Sequence, residues 1–187
     1  MSDDFSQDNR DRWRIEQDSY GRSLIHEGKL FIEINQPNTI EYVTLRQPLL
    51  ADFNLSVDAT LLGGSTTSSY GILFRKQELG GFYRFEVTGN GDYIIERRDA
   101  TGLWTRLLPE NRWQKSEFIN RGVGATNRLG VTANGNSASF YVNGELIHSI
   151  ETFDQTYGTG NIALEAGSYA QPGVQVAFDD LVILEPQ

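Results

Sequence analysis

Short runs of alternating apolar and polar residues, separated by turn residues, dominate this chain and predict antiparallel β-strands. The clearest run is LGVTANGNSASFYVNGELIHSI, residues 129–150, which holds the pairs Asn134-Gly135 and Asn143-Gly144. Asn-Gly suits a two-residue type I′ hairpin because both positions then need positive φ. A similar reading of SLIHEGKLFIEIN gives two strands around Glu27-Gly28. No segment has the period of a long helix, so an antiparallel β-sandwich is expected.

The two Asn-Gly turns also predict which side chains face each other. With the first turn in place, Leu129 would face Phe140 and Val131 would face Ala138. The second turn would bring Ile147 opposite Phe140. All of these apolar side chains would then lie on one face of the sheet.

A further hairpin can be registered from its own side chains. A three-residue loop at positions 89–91, Gly-Asn-Gly, would set Phe85 opposite Ile95 and would pair Arg84 with Glu96. A two-residue loop would instead place Glu96 opposite Phe85, where burial of an unpaired charge is costly. The three-residue loop is therefore favoured.

This register predicts a charged face on the sheet. Arg75 would join that face if Ile72 and Phe74 point into the core, and aromatic side chains would lie at its rim. The predicted members are Arg84, Glu86, Glu96, Arg98 and Arg75, with Trp104 or Tyr70 at the rim.

The charge and composition exclude several classes of function. The chain has 25 acidic against 16 Lys and Arg residues, a net charge of −9, so it would repel a phosphate backbone and nucleic acid is not expected as a partner. The absence of cysteine excludes disulfides, thiolate nucleophiles and cysteine-based zinc sites.

The same composition bears on domain organisation. No apolar run approaches the roughly 20 residues of a membrane-spanning helix, and MSDDFSQDN lacks the features of a signal peptide, so we expect no membrane insertion by this domain. The 187 residues predict one β-sandwich domain over 1–187, either alone or as one module of a longer secreted or membrane-anchored protein. The pattern sets neither the oligomeric state nor the cellular location.

Familiar catalytic motifs are missing from the sequence. It contains no G-x-S-x-G elbow, H-E-x-x-H, Walker loop or EF-hand loop, and its two histidines lie far apart. Glu86 and Glu96 could share a face as the carboxylate pair that glycoside hydrolysis needs. Cross-strand ion pairs of these acids with Arg84 and Arg98 are the favoured interpretation.

The strings FYRFEVTGNGDYIIERR, NRLGVTANGNSASFYVNGELI and VQVAFDDLVI resemble the concanavalin A-like lectin/glucanase superfamily over nearly the whole chain. Within it, the chain is similar to laminin G-like modules and to the domains named after 3-keto-disaccharide hydrolases. The resemblance implies two antiparallel sheets in a jelly-roll sandwich with little or no helix. It also suggests an extracellular or cell-surface setting, where such accessory modules often occur in bacteria.

The resemblance implies three possible functions. The E-x-D-x-x-E motif that holds the catalytic acids of family 16 glycoside hydrolases is missing here, so a non-catalytic, lectin-like carbohydrate-binding module with a glycan partner is favoured. The alternatives are a glycoside-acting hydrolase of the 3-keto-disaccharide type and a structural or protein-recognition laminin G-like module. An exposed salt-bridged sheet without a ligand also stays open. The expected ligand-binding residues are Arg75, Arg84, Glu86, Glu96, Arg98, Trp104 and Tyr70, and no catalytic residue is assigned.

The resemblance further implies a structural calcium ion that ties the two chain ends together. Asp4, the carbonyl of Gly28 and Asp179 match the family's oxygen donors, which suit a hard cation. The usual first donor is a longer Glu, and Asp3 or Asp180 could substitute. The alternative is that these are solvated acids near the termini.

Overall fold

The computed structural model describes residues 1–7 and 11–186. Within these residues the regular structure is entirely β, and no helix that could span a membrane is found there. In chain order the strands are β1 (Ser2–Asp3), β2 (Trp13–Arg14), β3 (Gly21–His26), β4 (Lys29–Ile34), β5 (Ile40–Leu45), β6 (Phe53–Gly63), β7 (Ser69–Lys76), β8 (Phe82–Thr88), β9 (Asp92–Arg98), β10 (Trp104–Arg106), β11 (Gln114–Lys115), β12 (Thr126–Asn134), β13 (Ser137–Val142), β14 (Glu145–Ile150), β15 (Asn161–Gly167) and β16 (Val174–Leu184).

The strands form two antiparallel sheets. The first sheet has the order β14-β13-β12-β6-β16-β4-β3, and β1 pairs with β16. The second sheet has the order β10-β9-β8-β7-β15-β5-β2, and β11 pairs with β9. The predicted all-β sandwich is thus confirmed, and the last long strand, β16, pairs with β1 at the start of the chain.

The turn at Asn143-Gly144 is as predicted. Its two φ angles are +54° and +88°, as a type I′ turn requires. A bulge then shifts the pairing of β13 with β14, so that Phe140 lies opposite His148 and the predicted partner Ile147 is wrong. The extra residue of a bulge is invisible to a strict two-residue period.

The turn between β12 and β13 lies one residue later than predicted. Its central residues are Gly135 and Asn136, so Val131 faces Phe140 and Leu129 faces Val142. The predicted partners of Val131 and Leu129 are therefore wrong. Because the shift changes the pairing by two positions, every side chain keeps its face, and these apolar residues are buried.

The hairpin of β8 and β9 has the predicted register. Phe85 pairs with Ile95 and Arg84 pairs with Glu96 across a loop at positions 89–91. Phe85 and Ile95 are buried in the core, while Arg84 and Glu96 point to the other side of the sheet. The sequence therefore predicts both faces of this hairpin correctly.

Aromatic side chains from both sheets meet in the core. The ring of Phe74 on β7 lies 6.0 Å from that of Phe53 on β6 and 6.2 Å from that of Phe140 on β13. Phe153 stacks against the same Phe74 ring at 5.9 Å. Burial of one side chain of this size contributes about 1.5–3 kcal/mol to the free energy of folding. This cluster therefore stabilises the packing of the two sheets against each other.

Candidate ligand-binding site

One row of directly opposed residues crosses the second sheet from edge to edge. From β10 to β2 its members are Arg106, Glu96, Arg84, Leu73, Ala163, Thr44 and Arg14. Directly opposed residues point to the same side of a sheet. We call this side, which faces away from the core, the outer face of the second sheet.

Arg84 holds two carboxylates at one end of this row. Its Nε and Nη2 donate to Oε2 of Glu96 at 2.9 and 2.5 Å, and Nη2 lies 3.1 Å from Oε1 of Glu86. Arg106 donates from Nε to the other oxygen of Glu96 at 3.2 Å. Charge-assisted hydrogen bonds of this kind fix both partners, so Glu96 is held from two sides.

A third carboxyl group lies in the next row of the outer face. Glu165 on β15 is opposite Gly71 on β7, and Gly71 is opposite Glu86 on β8. Glu86 and Glu165 are both 0 % exposed. Of the described residues, none hydrogen-bonds either carboxyl oxygen of Glu165 or Oε2 of Glu86.

Gly71 makes this arrangement possible. A Cβ atom at position 71 would lie 2.1 Å from the carbonyl oxygen of Phe85 and 2.9 Å from Cβ of Glu86, distances that real Cβ atoms do not adopt. The missing side chain leaves room for the acids on either side of it.

Burial governs the protonation of these acids. It raises the pKa of Glu165 well above the ordinary 4.5, and the nearby charges of Glu86 and Glu96 add to the rise, while Arg84 opposes it. Burial also raises the pKa of Glu86, against the opposing charge of Arg84. Burial works against the charged form of Arg84, but the three carboxyl groups raise its pKa. Arg84 thus stays charged, and burial favours the neutral form of Glu165.

A cleft of about 410 Å³ opens beside this cluster. Its lining combines charged groups with aromatic rings: Arg84, Glu96, Trp104, Arg106, Asn111, Trp113 and Tyr169. We call it the Arg84 cleft. Its size falls in the range of small-molecule sites, and planar hydrogen-bonding groups beside aromatic faces can bind polyhydroxylated rings.

One cation–ring pair and one pair of aromatic rings form the walls of the Arg84 cleft. The guanidinium carbon of Arg84 lies 4.0 Å from the centre of the Trp104 ring, within the range of a cation–π contact. Trp113 meets Tyr169 edge to face, with ring centres 6.5 Å apart. The hydroxyl of Tyr169 lies 3.5 Å from Oε1 of Glu86, so the aromatic wall reaches the carboxyl cluster.

A family model described as "3-keto-alpha-glucoside-1,2-lyase-like domain" matches residues 3–184. The chain belongs to this family. The sequence-based resemblance to the domains named after 3-keto-disaccharide hydrolases is thereby confirmed. A comparison with curated proteins gives no match.

Solved structures show the fold of this lyase-like domain. It is similar to the carbohydrate-binding module CBM66 from Bacillus subtilis, with a TM-score of 0.72 and 13% identity over 94% of this chain and 96% of the other. It is also similar to a Bacillus licheniformis β-glucanase, with a TM-score of 0.69 and 14% identity over 100% and 98%. A third similar structure is the laminarinase catalytic domain from Thermotoga petrophila RKU-1, with a TM-score of 0.66 and 10% identity over 100% of this chain and 97% of the other. The predicted jelly-roll, concanavalin A-like fold is confirmed.

Most of the predicted charged face of the lyase-like domain is on the outer face. Arg84, Glu86 and Glu96 lie there, and Trp104 flanks them. The predicted ion pairing is correct for Arg84, which bridges both acids. Arg98 differs: its guanidinium donates to the carbonyl of Gly80 at 3.4 Å and lies 5.9 Å from the Trp104 ring, so it supports the indole instead of a carboxylate.

Arg75 does not lie on this face, and that prediction is wrong. Its φ is +47°, and the pairing of β7 with β15 shifts at this point, as expected of a β-bulge. The bulge turns the side chain inward, where it is 1 % exposed and donates to the carbonyls of Ala51, Tyr157 and Gly135.

Tyr70 is also misplaced by the prediction. It alternates with Gly71 and so shares the inner side of β7 with Ile72, where it belongs to the buried core. Its hydroxyl accepts a hydrogen bond of 2.9 Å from Nδ2 of Asn127. Tyr70 is therefore part of the core and does not line the Arg84 cleft.

Sequence reasoning missed several residues of the cleft region. Glu165 could have been found, because Ile162, Leu164 and Ala166 alternate inward and leave it on the outer face. Trp113 and Tyr169 lie outside the named strands, where no period places them. Within residues 109–127 the chain forms β11, and Trp113 packs against the core cluster.

The proposed calcium ligands lie where the chain ends meet. The carbonyl oxygen of Asp4 is 3.8 Å from the Cβ position of Gly28. The carboxylate of Asp179, however, accepts a 2.5 Å hydrogen bond from Nζ of Lys29, and no group of three or more metal-binding side chains is found among the described residues. A calcium ion would have to displace this ammonium group, so these donors fit it poorly and calcium stays a prediction.

Proposed function

We propose that this domain binds a saccharide in the Arg84 cleft. The observation that carries the proposal is the Arg84 guanidinium, fixed by Glu86 and Glu96 while it stacks on the ring of Trp104. Arg106, Glu96 and Asn111 offer donors and acceptors for hydroxyl groups, and the rings of Trp104 and Trp113 offer apolar faces. This is the chemistry of a lectin-like site.

Two comparisons support this class of ligand. The family description names a glucoside, and one structure of the same fold is a carbohydrate-binding module. A module of this kind needs only a preformed polar and aromatic surface, which the anchored Arg84 and Glu96 provide.

A glycan array followed by calorimetry tests the proposal. We expect one class of sugar to bind, with affinity lost in Trp104→Ala and Arg106→Gln. The matched control is Tyr20→Ala, which removes a ring that is 54% exposed and does not line the cleft. A blank array, with tryptophan fluorescence unchanged by every glycan, would contradict saccharide binding.

A second candidate is catalysis on 3-keto-glucosides, favoured by the placement of Glu96. This nearly buried carboxylate lines the cleft between two arginines, near Glu165, whose pKa is raised by burial. A 3-keto group makes the C2 proton acidic. Glu96 would take that proton, a C1–C2 double bond would form, and the C1–O bond would break with its electron pair going to the leaving oxygen, which then takes the proton from the Glu96 carboxyl group. Arg84 would stabilise the enolate charge.

Incubation with a 3-keto-glucoside separates catalysis from binding. The elimination product is a conjugated enone, which ultraviolet absorbance detects. The reaction should disappear in Glu96→Gln and persist in Glu33→Gln, a control on the first sheet. Saccharide binding without enone formation would leave the domain as a binding module.

A further inference from the structure

A second cleft, of about 460 Å³, opens at the other end of the same outer face. It lies where β2, β5, β7 and β15 come together, and it gathers three cationic side chains from separate strands or loops: Arg14, Arg46 and Lys76. Glu78 is the acidic residue in its lining. We call it the Lys76 cleft. Such a cluster is unexpected in a chain of net charge −9.

Lys76 is the most unusual of these cations. The residue is only 7 % exposed, and none of the described carboxylates lies within ion-pair distance of its ammonium group. Its Nζ lies 4.9 Å from the centre of the Tyr42 ring. A nearly buried charge is costly unless it is paired, and this ammonium borders a cleft that an anion could enter.

The neighbours of Lys76 reinforce this. Burial lowers its pKa, and the positive charge of Arg14 lowers it further, against Glu16 and Glu78. Arg14 lies 3.8 Å from Glu16 in a pair whose side chains are both more than half exposed, a contact that solvent screens strongly. An anion held between Arg14 and Lys76 would relieve their mutual repulsion.

Aromatic side chains connect the two clefts. The ring of Tyr42 lies 6.5 Å from that of Phe82, and Phe82 lies 5.7 Å from Trp104. These rings come from strands on either side of Leu73 and Ala163, which are fully buried although they lie on the outer face. Lys76 contacts the ring at one end and Arg84 the ring at the other.

The distance between the cleft ends suits an extended ligand. Arg84 on β8 and Arg14 on β2 belong to the same cross-strand row and are separated by four strand spacings, roughly 19 Å at about 4.8 Å per strand. A chain of several sugar rings can span such a length, whereas a monosaccharide cannot reach both clefts.

We infer that the ligand of this domain is an acidic oligosaccharide, whose rings occupy the Arg84 cleft and whose carboxylate or sulfate group binds Arg14, Arg46 and Lys76. The inference rests on the proposed saccharide binding and adds the charge and length of the ligand. The two anionic groups share the same recognition chemistry, since both accept several hydrogen bonds from cations.

Pairs of charged and neutral probes test the inference. Oligogalacturonate is compared with its methyl ester, and a chondroitin sulfate oligosaccharide with its desulfated form, by calorimetry at low and at physiological salt. We expect at least one charged probe to bind roughly tenfold more tightly than its neutral counterpart, as one charge-assisted contact allows. The advantage should shrink as salt increases.

Variants locate the effect and distinguish the two proposals. Lys76→Gln and the exposed Arg14→Gln should each reduce the affinity for the charged probe to near that of the neutral one. Arg22→Gln, which removes the same charge from the first sheet, should change nothing. Melting curves identify any variant that has lost its fold.

Each remaining outcome has one meaning. Equal binding of charged and neutral probes would overturn the acidic ligand and leave saccharide binding intact. A preference for the charged probe that neither Lys76→Gln nor Arg14→Gln reduces would also overturn the inference and leave saccharide binding intact. If Trp104→Ala does not weaken the binding of sugars, the proposal that they bind in the Arg84 cleft is contradicted, whatever the Lys76 cleft binds. No binding of any charged or neutral probe would count against both.

Discussion

The guanidinium of Arg84 lies over the indole ring of Trp104, with 4.0 Å from the guanidinium carbon to the ring centre. Glu96 accepts two hydrogen bonds from the guanidinium. The ring of Phe82 packs against the indole, with ring centres 5.7 Å apart. These contacts hold both groups in place in the absence of a ligand. Preorganisation of this kind lowers the entropic cost of binding.

Truncation of this wall should affect both stability and binding. We expect Trp104→Ala to reduce the free energy of unfolding by about 1–2 kcal/mol, since Trp104 is half-buried and contributes a cation–π contact. Trp104→Phe should recover part of this stability and part of the sugar affinity. Urea denaturation and calorimetry measure the two effects, and full affinity in Trp104→Ala would show that the ligand does not touch this wall.

Glu165 should make stability depend on pH. Its pKa is raised in the folded protein, so the folded state retains the proton more strongly than the unfolded state. The associated stability is present below the ordinary pKa of 4.5 and is lost as the pH rises through the higher folded value.

Glu165→Gln tests this sign directly. The variant cannot ionise at this position, so its stability relative to the wild type should increase as the pH rises from about 4.5 upward. Urea denaturation of both proteins at several pH values measures the difference. A difference that is constant across the range would contradict a raised pKa, and Glu33→Gln on the first sheet serves as the control.

Arg75 should be essential to the fold and dispensable for the Arg84 cleft. It donates to three backbone carbonyls from separate segments, and removing a buried donor leaves acceptors unsatisfied at about 1–3 kcal/mol each. We expect Arg75→Met to reduce the free energy of unfolding by about 3 kcal/mol or more. Saccharide affinity of the fraction that stays folded should be unchanged. A stable Arg75→Met protein with lost affinity would reinstate Arg75 as a ligand-binding residue.

The calcium hypothesis requires a specific thermal response. A cation that binds only the folded state raises its stability, so EDTA should lower the melting temperature and added calcium should restore it. Asp179→Asn should abolish this shift. An EDTA-insensitive wild type would remove calcium and leave the Lys29–Asp179 ion pair as the link at that position.

The sequence predicts those parts of the fold that depend on local turns and on two-residue alternation. The loop at 89–91 fixes the pairing of Arg84 with Glu96, because a two-residue loop would bury an unpaired charge. Arg75 and Ile147 were misplaced because a bulge adds a residue that alternation cannot count.

The cleft itself was harder to predict than the sheet that carries it. Glu165 faces outward by simple alternation, but its proximity to Glu86 follows from the order of β15, β7 and β8 in the sheet, and β15 is distant in sequence from the other two. Trp113 and Tyr169 reach the cleft from segments outside the strands, whose paths depend on tertiary packing. Local sequence carries no signal for such contacts.

The cross-strand row of the second sheet joins segments that lie far apart in the sequence. Arg14 comes from the start of the chain, Ala163 from near its end, and Arg84 from the middle. Contacts between such distant segments form late and slowly, because long loops must close first. The surface that joins both clefts therefore forms only when the whole domain has folded, so a ligand that needs both clefts would bind only the complete, folded domain.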